Sequence, residues 1–210
     1  MITSKLLDSE KDILRNVNVA IAAHINKQID KNKSTVFKNF KPLVTKWIES
    51  QPEIQSLLDQ GRAGSLNSLF GLYPGQANDA VSVIVSSVVD ATLIEAPKID
   101  RNLKGEIKFK FQPANFTNLL TLGVGHTITA KGTDLHWLDW LLTQGDKIII
   151  IGYRYEPSGR GRSGVGSMKI GGSFRVPPQF AGDIKDNFIT RAFSNRGSEI
   201  TKLVSQLLNG

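Results

Sequence analysis

The chain has 210 residues, of which 40% are hydrophobic and 21% charged, with a formal net charge of +7 and no cysteine. This composition excludes wholesale disorder and gives room for one domain with a real core, or one domain and an arm. Without cysteine there is no disulfide framework, thiol nucleophile or Cys-based metal site, which fits a protein made in a cytosol. No run approaches the ~18 consecutive apolar residues of a membrane span, and the first residues lack the apolar centre of a secretory signal.

Residues 6–31 have the pattern of a long amphipathic helix, with Leu6, Ile13, Leu14, Val17, Ile21, Ile25 and Ile29 recurring at three- and four-residue steps. Pro42 and Pro52 are expected to divide the next region into short helices, with Leu43, Val44, Trp47 and Ile48 on one face and Ser50 capping the helix that Pro52 opens. Gly61 and Gly71 end the helices that precede them. Residues 76–96 carry two signals. Ala77, Val81, Ile84 and Val88 keep helical spacing, while the Val and Ile content favours strand, so a helix is expected to give way to a strand near Ser87.

Residues 103–111 alternate Glu106, Lys108 and Lys110 with Ile107, Phe109 and Phe111, the period of a strand. Next come a short helix over 113–120, a strand over 124–130 and a helix from Thr133 or Asp134 to Gly145. Ile148 to Ile151 is expected as a central strand, apolar on both faces. After a Gly/Arg-rich stretch, helices fill residues 183–208 with a break at Gly197. The sum is an α+β fold: a mixed or antiparallel sheet packed against helices, with a long N-terminal helix and a C-terminal amphipathic helix. Residues 1–50 form a helical arm and residues 51–210 one cooperative domain.

Catalytic and metal signatures are missing. His24, His126 and His136 fall on different expected elements and in no metal-ligand spacing, although His136 and Asp139 are placed to pair on one helix. Gly159, Gly161 and Gly164 match GxGxxG, but Met168-Lys169-Ile170-Gly171-Gly172 beyond them does not open a helix whose N-terminus could meet a pyrophosphate. Ser167-Met168 stands where a Walker loop needs Lys-Ser/Thr. The sequons at Asn32 and Asn115 carry no meaning without secretion. No catalytic residue, cofactor or metal is assigned.

Two patterns point to partners. Arg154, Arg160, Arg162, Lys169 and Arg175 cluster with Glu156 alone opposing them, among glycines that suit a mobile loop meeting an anionic surface. Arg160 and Arg162, one glycine apart, would point to the same side of an extended backbone. The helix from Asp134 carries Leu135, Trp137, Leu138, Trp140, Leu141 and Leu142 over more than half its circumference, which requires burial on two sides. One side is the domain's own sheet; the other is the N-terminal helices or a partner subunit, with Trp137, Trp140 and Leu141 as candidate oligomer contacts.

The order of the Gly-rich basic stretch over 158–172, then Phe174-Arg175-Val176-Pro177-Pro178-Gln179-Phe180-Ala181-Gly182, then Asp186-Asn187-Phe188-Ile189-Thr190-Arg191-Ala192, resembles neck and tail-completion proteins of long-tailed bacteriophages. Residues 51–71 and 136–145 look like segments of the same proteins, so scattered blocks over about half the chain carry the likeness. The resemblance implies a non-enzymatic virion protein, assembled in the bacterial cytoplasm as a homo-oligomeric ring around the DNA channel. Its partners would be neighbouring neck, portal and tail proteins and the packaged DNA, met without sequence preference, with no membrane. A basic nucleic-acid-binding protein using the Arg/Gly loop is the alternative, and an enzyme with an unrecognised site a third reading.

Overall fold

The structure is a computed structural model that describes residues 8–129 and 131–209. Helices α1 (Glu10–Glu49), α2 (Pro52–Leu58), α3 (Leu66–Phe70) and α4 (Gln76–Ala91) come first, then strands β1 (Leu93–Glu95) and β2 (Lys108–Lys110). Helix α5 (Thr117–Leu120), a 3-10 turn at Gly123–Gly125, β3 (Thr127–Ile128), β4 (Asp134–Leu135) and α6 (Trp137–Leu142) come next. The chain closes with β5 (Ile148–Glu156), β6 (Ser167–Arg175), α7 (Phe188–Phe193) and α8 (Gly197–Asn209). The fold is α+β, as expected, but its strands form three separate two-stranded antiparallel sheets: β1 with β2, β3 with β4 and β5 with β6. Among the described residues no helix is long and apolar enough to cross a membrane.

Two compact units divide the chain, and they are not consecutive in sequence. The first takes the described residues up to Lys41, Leu93–Lys110 and Asn195 onward; the second takes Pro42–Thr92 and Phe111–Ser194. The expected division into residues 1–50 and 51–210 is therefore drawn differently. Strands β1 and β2 and the C-terminal helix α8 share a unit with most of α1, because long-range burial and not chain order assigns them.

In the first unit, Ala22, Ile29, Val36 and Phe40 of α1 are buried, with Ile94 of β1 and Leu203 and Leu207 of α8. The seven- and four-residue steps keep those α1 side chains on one face. Phe40 meets Phe109 of β2 edge-on at 5.5 Å. Asn26 holds the loop after β1 at both ends of its amide, donating to the Ile99 carbonyl at 3.0 Å and accepting the Ile99 N–H at 2.8 Å. Asn32, one of the sequon residues, is buried and donates to the Leu207 carbonyl at 3.2 Å.

The second unit is built on Trp47 and Ile48 from the end of α1, Ile54 and Leu57 of α2, Ile84 and Val88 of α4, Leu138 of α6 and Phe188 of α7, all buried. Phe111 and Phe193 stack at 4.3 Å, and Trp47 stands edge-on to both. Helix α4 runs to Ala91, past the expected switch at Ser87, because Ala77, Ala80, Val81, Ile84, Val85, Val88 and Val89 keep one buried face in helical register throughout. Tertiary burial overrides the β-branched preference here, and the Thr92 hydroxyl then closes the helix by bonding to the Val88 and Val89 carbonyls at 3.1 and 2.6 Å.

Several boundaries fall elsewhere than expected. Pro42 does not end a helix; α1 continues through it, at the cost of the bond from its missing N–H to the Lys38 carbonyl. Gln51 is the N-cap of α2, while the Ser50 hydroxyl donates to Trp47. The strand expected over 103–111 shrinks to three residues, with Leu103 in a turn at φ +60°. The strand expected over 124–130 becomes the 3-10 turn and two-residue β3, and Ala130 lies outside the described residues. Asp134 belongs to β4 and caps nothing; His136 is the N-cap of α6. Ile148 to Ile151 is no central strand, since β5 pairs with β6 alone and leaves Ile151 83% exposed. Residues 6 and 7 of the first expected helix lie outside the described residues.

Candidate functional site

The β5–β6 hairpin and the groove beside it, both in the second unit, bring together most of the side chains that sequence reasoning assigned to partners. Tyr153 pairs with Ile170 and Tyr155 with Met168, so these four share one face; Arg154 and Lys169 stand opposite each other on the other face. Irregular register between Ile148 and Ile150, and again between Ile151 and Tyr153, bends the ribbon. Gly152 sits in the second irregularity at φ +85°, a conformation costly for other residues.

The Gly/Arg-rich tip folds back on its unit and does not reach away from it as expected. Gly64 donates its N–H to the Tyr155 hydroxyl at 2.9 Å, and that hydroxyl lies 2.8 Å from Ser68 Oγ. Gly166 is buried under the Tyr155 ring, where any Cβ would collide, and Gly159 and Gly161 are pressed equally closely against Ser167 and the Gly166 carbonyl. These glycines serve close packing, and their composition alone could not distinguish that from mobility. Tyr155→Phe is expected to lower stability by about 1 kcal/mol, a fall of roughly 2–4 °C in Tm. Hydrogen exchange should quicken across residues 157–166. Unchanged exchange there would show that the hydroxyl does not hold the tip.

The five basic residues do not act as one cluster. Arg162 turns inward: its Nη1 donates to the Ile128 carbonyl, and its guanidinium lies 5.4 Å from the Tyr73 ring centre. It therefore does not share a free side with Arg160. Arg175 meets Asp146 at 3.5 Å and Lys169 meets Glu156 at 3.5 Å, all at the surface. The Ser158 hydroxyl, with Lys169, holds the Glu156 carboxyl below its usual range. Arg154 and Arg160 are exposed and have no acidic partner among the described residues. Glu156 already meets Lys169, so Arg154, opposite Lys169, and Arg160 are the cations on the hairpin left to meet an anion.

Beside the aromatic face runs a groove of about 650 Å³, lined by Phe70, Trp140, Ile149, Tyr153, Tyr155 and Met168, among others. Lys131 and Arg162 are the cations in its lining, and Lys131 donates to the Tyr153 hydroxyl at 2.5 Å. Of the three residues expected at an oligomer contact, Trp140 alone lines this groove. Trp137 and Leu141 are fully buried, Trp137 stacked on Phe70 at 5.6 Å, so the folded unit has no surface through them. The six-residue helix α6 is enclosed on both sides by its own unit, which satisfies the wide apolar arc without a partner. Lys131, Tyr153 and Tyr155 were missed in the sequence; the alternation of Tyr153 and Tyr155 in a strand was the one signal available.

The histidines also fall differently. His126 Nδ1 lies 2.7 Å from Asp134 Oδ1, His136 Nε2 lies 3.5 Å from Asp134 Oδ2, and the two rings stack at 5.3 Å. His136 thus meets Asp134 where Asp139 was expected; Asp139 instead accepts from Thr143 and Gln144. Among the described residues no group of three His, Asp or Glu side chains is arranged to hold a metal ion. No family model, curated protein or solved structure matches this chain.

Proposed function

We propose that this chain is a structural protein of a tailed-phage virion, joining the head portal or neck to the tail as a homo-oligomeric ring around the DNA channel. The observation that carries the reading is the β5–β6 hairpin, whose two faces offer different partners. Ile151 and Ile170 are 83% and 84% exposed, while Arg154 stands opposite Lys169 with no acid of its own. Exposed apolar residues on the ribbon suit a neighbouring subunit. Arg154 and Arg160, which among the described residues lack the acidic partner that Lys169 has in Glu156, suit DNA phosphates or an acidic ring. The net charge of +7 and the phage-like order of residues 158–192 support the same reading.

The test replaces Arg154, Arg160 and Lys169 together by serine. Exposed charges add little stability, so the fold is expected to persist. Counting heads joined to tails by electron microscopy should show fewer joined particles, with loss of packaged DNA. Normal joining and normal DNA retention at low and high salt would sink the reading. The second reading, a free-standing nucleic-acid-binding protein, is favoured by the same Arg154 and Arg160. It requires the isolated chain to bind duplex DNA with an affinity that falls steeply with salt.

A further inference from the structure

The first three turns of α1 carry a second apolar face that nothing in the described structure covers. Leu14 is 64% exposed, Val17 47%, Ile21 41% and Ile13 37%. At about 100° per residue these four lie within roughly 60° of the direction of Val17, together with Ala20. Ala22, Ile29, Val36 and Phe40, which are buried in the first unit, lie roughly 100–140° further round the helix. The exposed stripe lies beside the core-facing stripe, with the half-buried Ile25 between them, and its centre at Val17 points away from the core.

Its ends say what fits it. On the same face the stripe is closed by Glu10 on the N-terminal side and by His24 on the C-terminal side, each seven residues from Val17 and both exposed. We propose that this face pairs with the same face of a second copy of this chain, antiparallel, with Val17 at the two-fold axis. In that register Ile13 opposes Ile21 of the other helix, and Glu10 opposes His24 at both ends. Leu14 opposes Ala20, and Asp12, Lys11 and Arg15 lie off the face, so no like charges meet across it. A parallel pair would set Glu10 against Glu10 and His24 against His24. Keeping Glu10 from Glu10 thus favours the antiparallel form over the parallel one.

Three turns of helix bury well short of the roughly 800 Å² per partner of a standard interface. The contact is accordingly weak and reversible in the free chain, a way of covering apolar surface between synthesis and assembly. A two-fold contact closes at two copies and builds no ring, so the pairing stands or falls separately from the proposed function.

The absence of cysteine makes the test direct. Val17→Cys and Val19→Cys are compared in the full-length chain under mild oxidation, because Val17 and Val19 are both 47% exposed yet lie on opposite sides of α1. Val17→Cys is expected to form a disulfide-linked dimer at least tenfold faster than Val19→Cys. Ile13→Cys alone should cross-link slowly, but a mixture of Ile13→Cys and Ile21→Cys should give the mixed dimer rapidly. Circular dichroism on each variant confirms that α1 is retained. Equal rates for Val17→Cys and Val19→Cys would mean random collision and overturn the pairing. Rapid self-linking of Ile13→Cys would mean a parallel pair and overturn the register.

Discussion

Replacing Arg191 by methionine is expected to destabilise the second unit by about 3–5 kcal/mol at pH 7–8, and by far less near pH 4. Arg191 donates to Glu53 Oε1, and its other terminal nitrogen meets Asp186 at 2.8 Å. Glu53 is buried, and its second carboxyl oxygen has no hydrogen-bond partner. Burial pushes the Glu53 carboxyl above its ordinary value of 4.5, against the opposing pull of its own backbone N–H and of Arg191. A raised folded-state value means that protonated Glu53 favours the folded chain. That contribution is complete below about pH 4.5 and is lost as pH rises through the folded value. Removing Arg191 takes away part of what opposes the burial, moves the folded value further up and enlarges the loss at neutral pH. Urea unfolding at pH 4 and pH 7.5 measures the difference. In a Glu53→Gln background the pH dependence of the Arg191→Met loss should largely disappear; if it persists, the charge at Glu53 is not its source.

Asn187→Ala is expected to cost about 3 kcal/mol at any pH between 5 and 8, from one fully buried side chain with four polar contacts. Its Oδ1 accepts the Ile189 and Thr190 N–H groups at 3.1 Å each, as the N-cap of α7, and Thr190 Oγ1 returns a bond to the Asn187 N–H at 2.9 Å. Its Nδ2 donates to the Leu142 carbonyl at 3.1 Å and the Asp183 carbonyl at 2.8 Å. Alanine removes the cap and leaves two carbonyls without this donor. Asn187→Ser keeps an acceptor for the cap but cannot span to Leu142, so about half the loss should return. A fall in the urea midpoint at unchanged slope would measure it, and a loss under 1 kcal/mol for alanine would show that water replaces the side chain.

These two residues belong to the stretch that gave the sequence its phage-like appearance, and the structure gives that stretch a folding role. Phe188, Ile189 and Ala192 are the buried face of α7, Asn187 starts the helix and Arg191 neutralises a buried acid. Gly182 lies so close to the Leu141 carbonyl and to Asn187 that a Cβ there would collide with both. A pattern built on such needs marks a way of packing; it carries no chemistry by itself.

The sequence by itself determined the elements whose signals are local. The αL glycine at Gly71 after α3 and the break near Gly197 are each set by neighbours within one or two helical turns. The expected stripe of α1 was not, since Ile13, Leu14, Val17 and Ile21 are exposed while Ala22, Val36 and Phe40 are buried, and α7 begins at Phe188, after Asn187, instead of at Asp183. The α+β class rests on helical and strand periodicities. What tertiary structure alone decided depends on residues far apart in the chain. Whether residues 87–91 are helix or strand was settled by the buried face of α4, and whether Ile148 to Ile151 is buried was settled by how many strands pair. Trp137 was assigned inward by Phe70, 67 positions away, while the half-exposed Arg162 was drawn to the carbonyl of Ile128. Glycine composition predicts freedom of the backbone, but only the approach of the Tyr155 ring shows that Gly166 is there to let two segments touch. Local preferences amount to a fraction of a kcal/mol per residue, and burial of a large side chain to a few; where the two disagree, the long-range term decides.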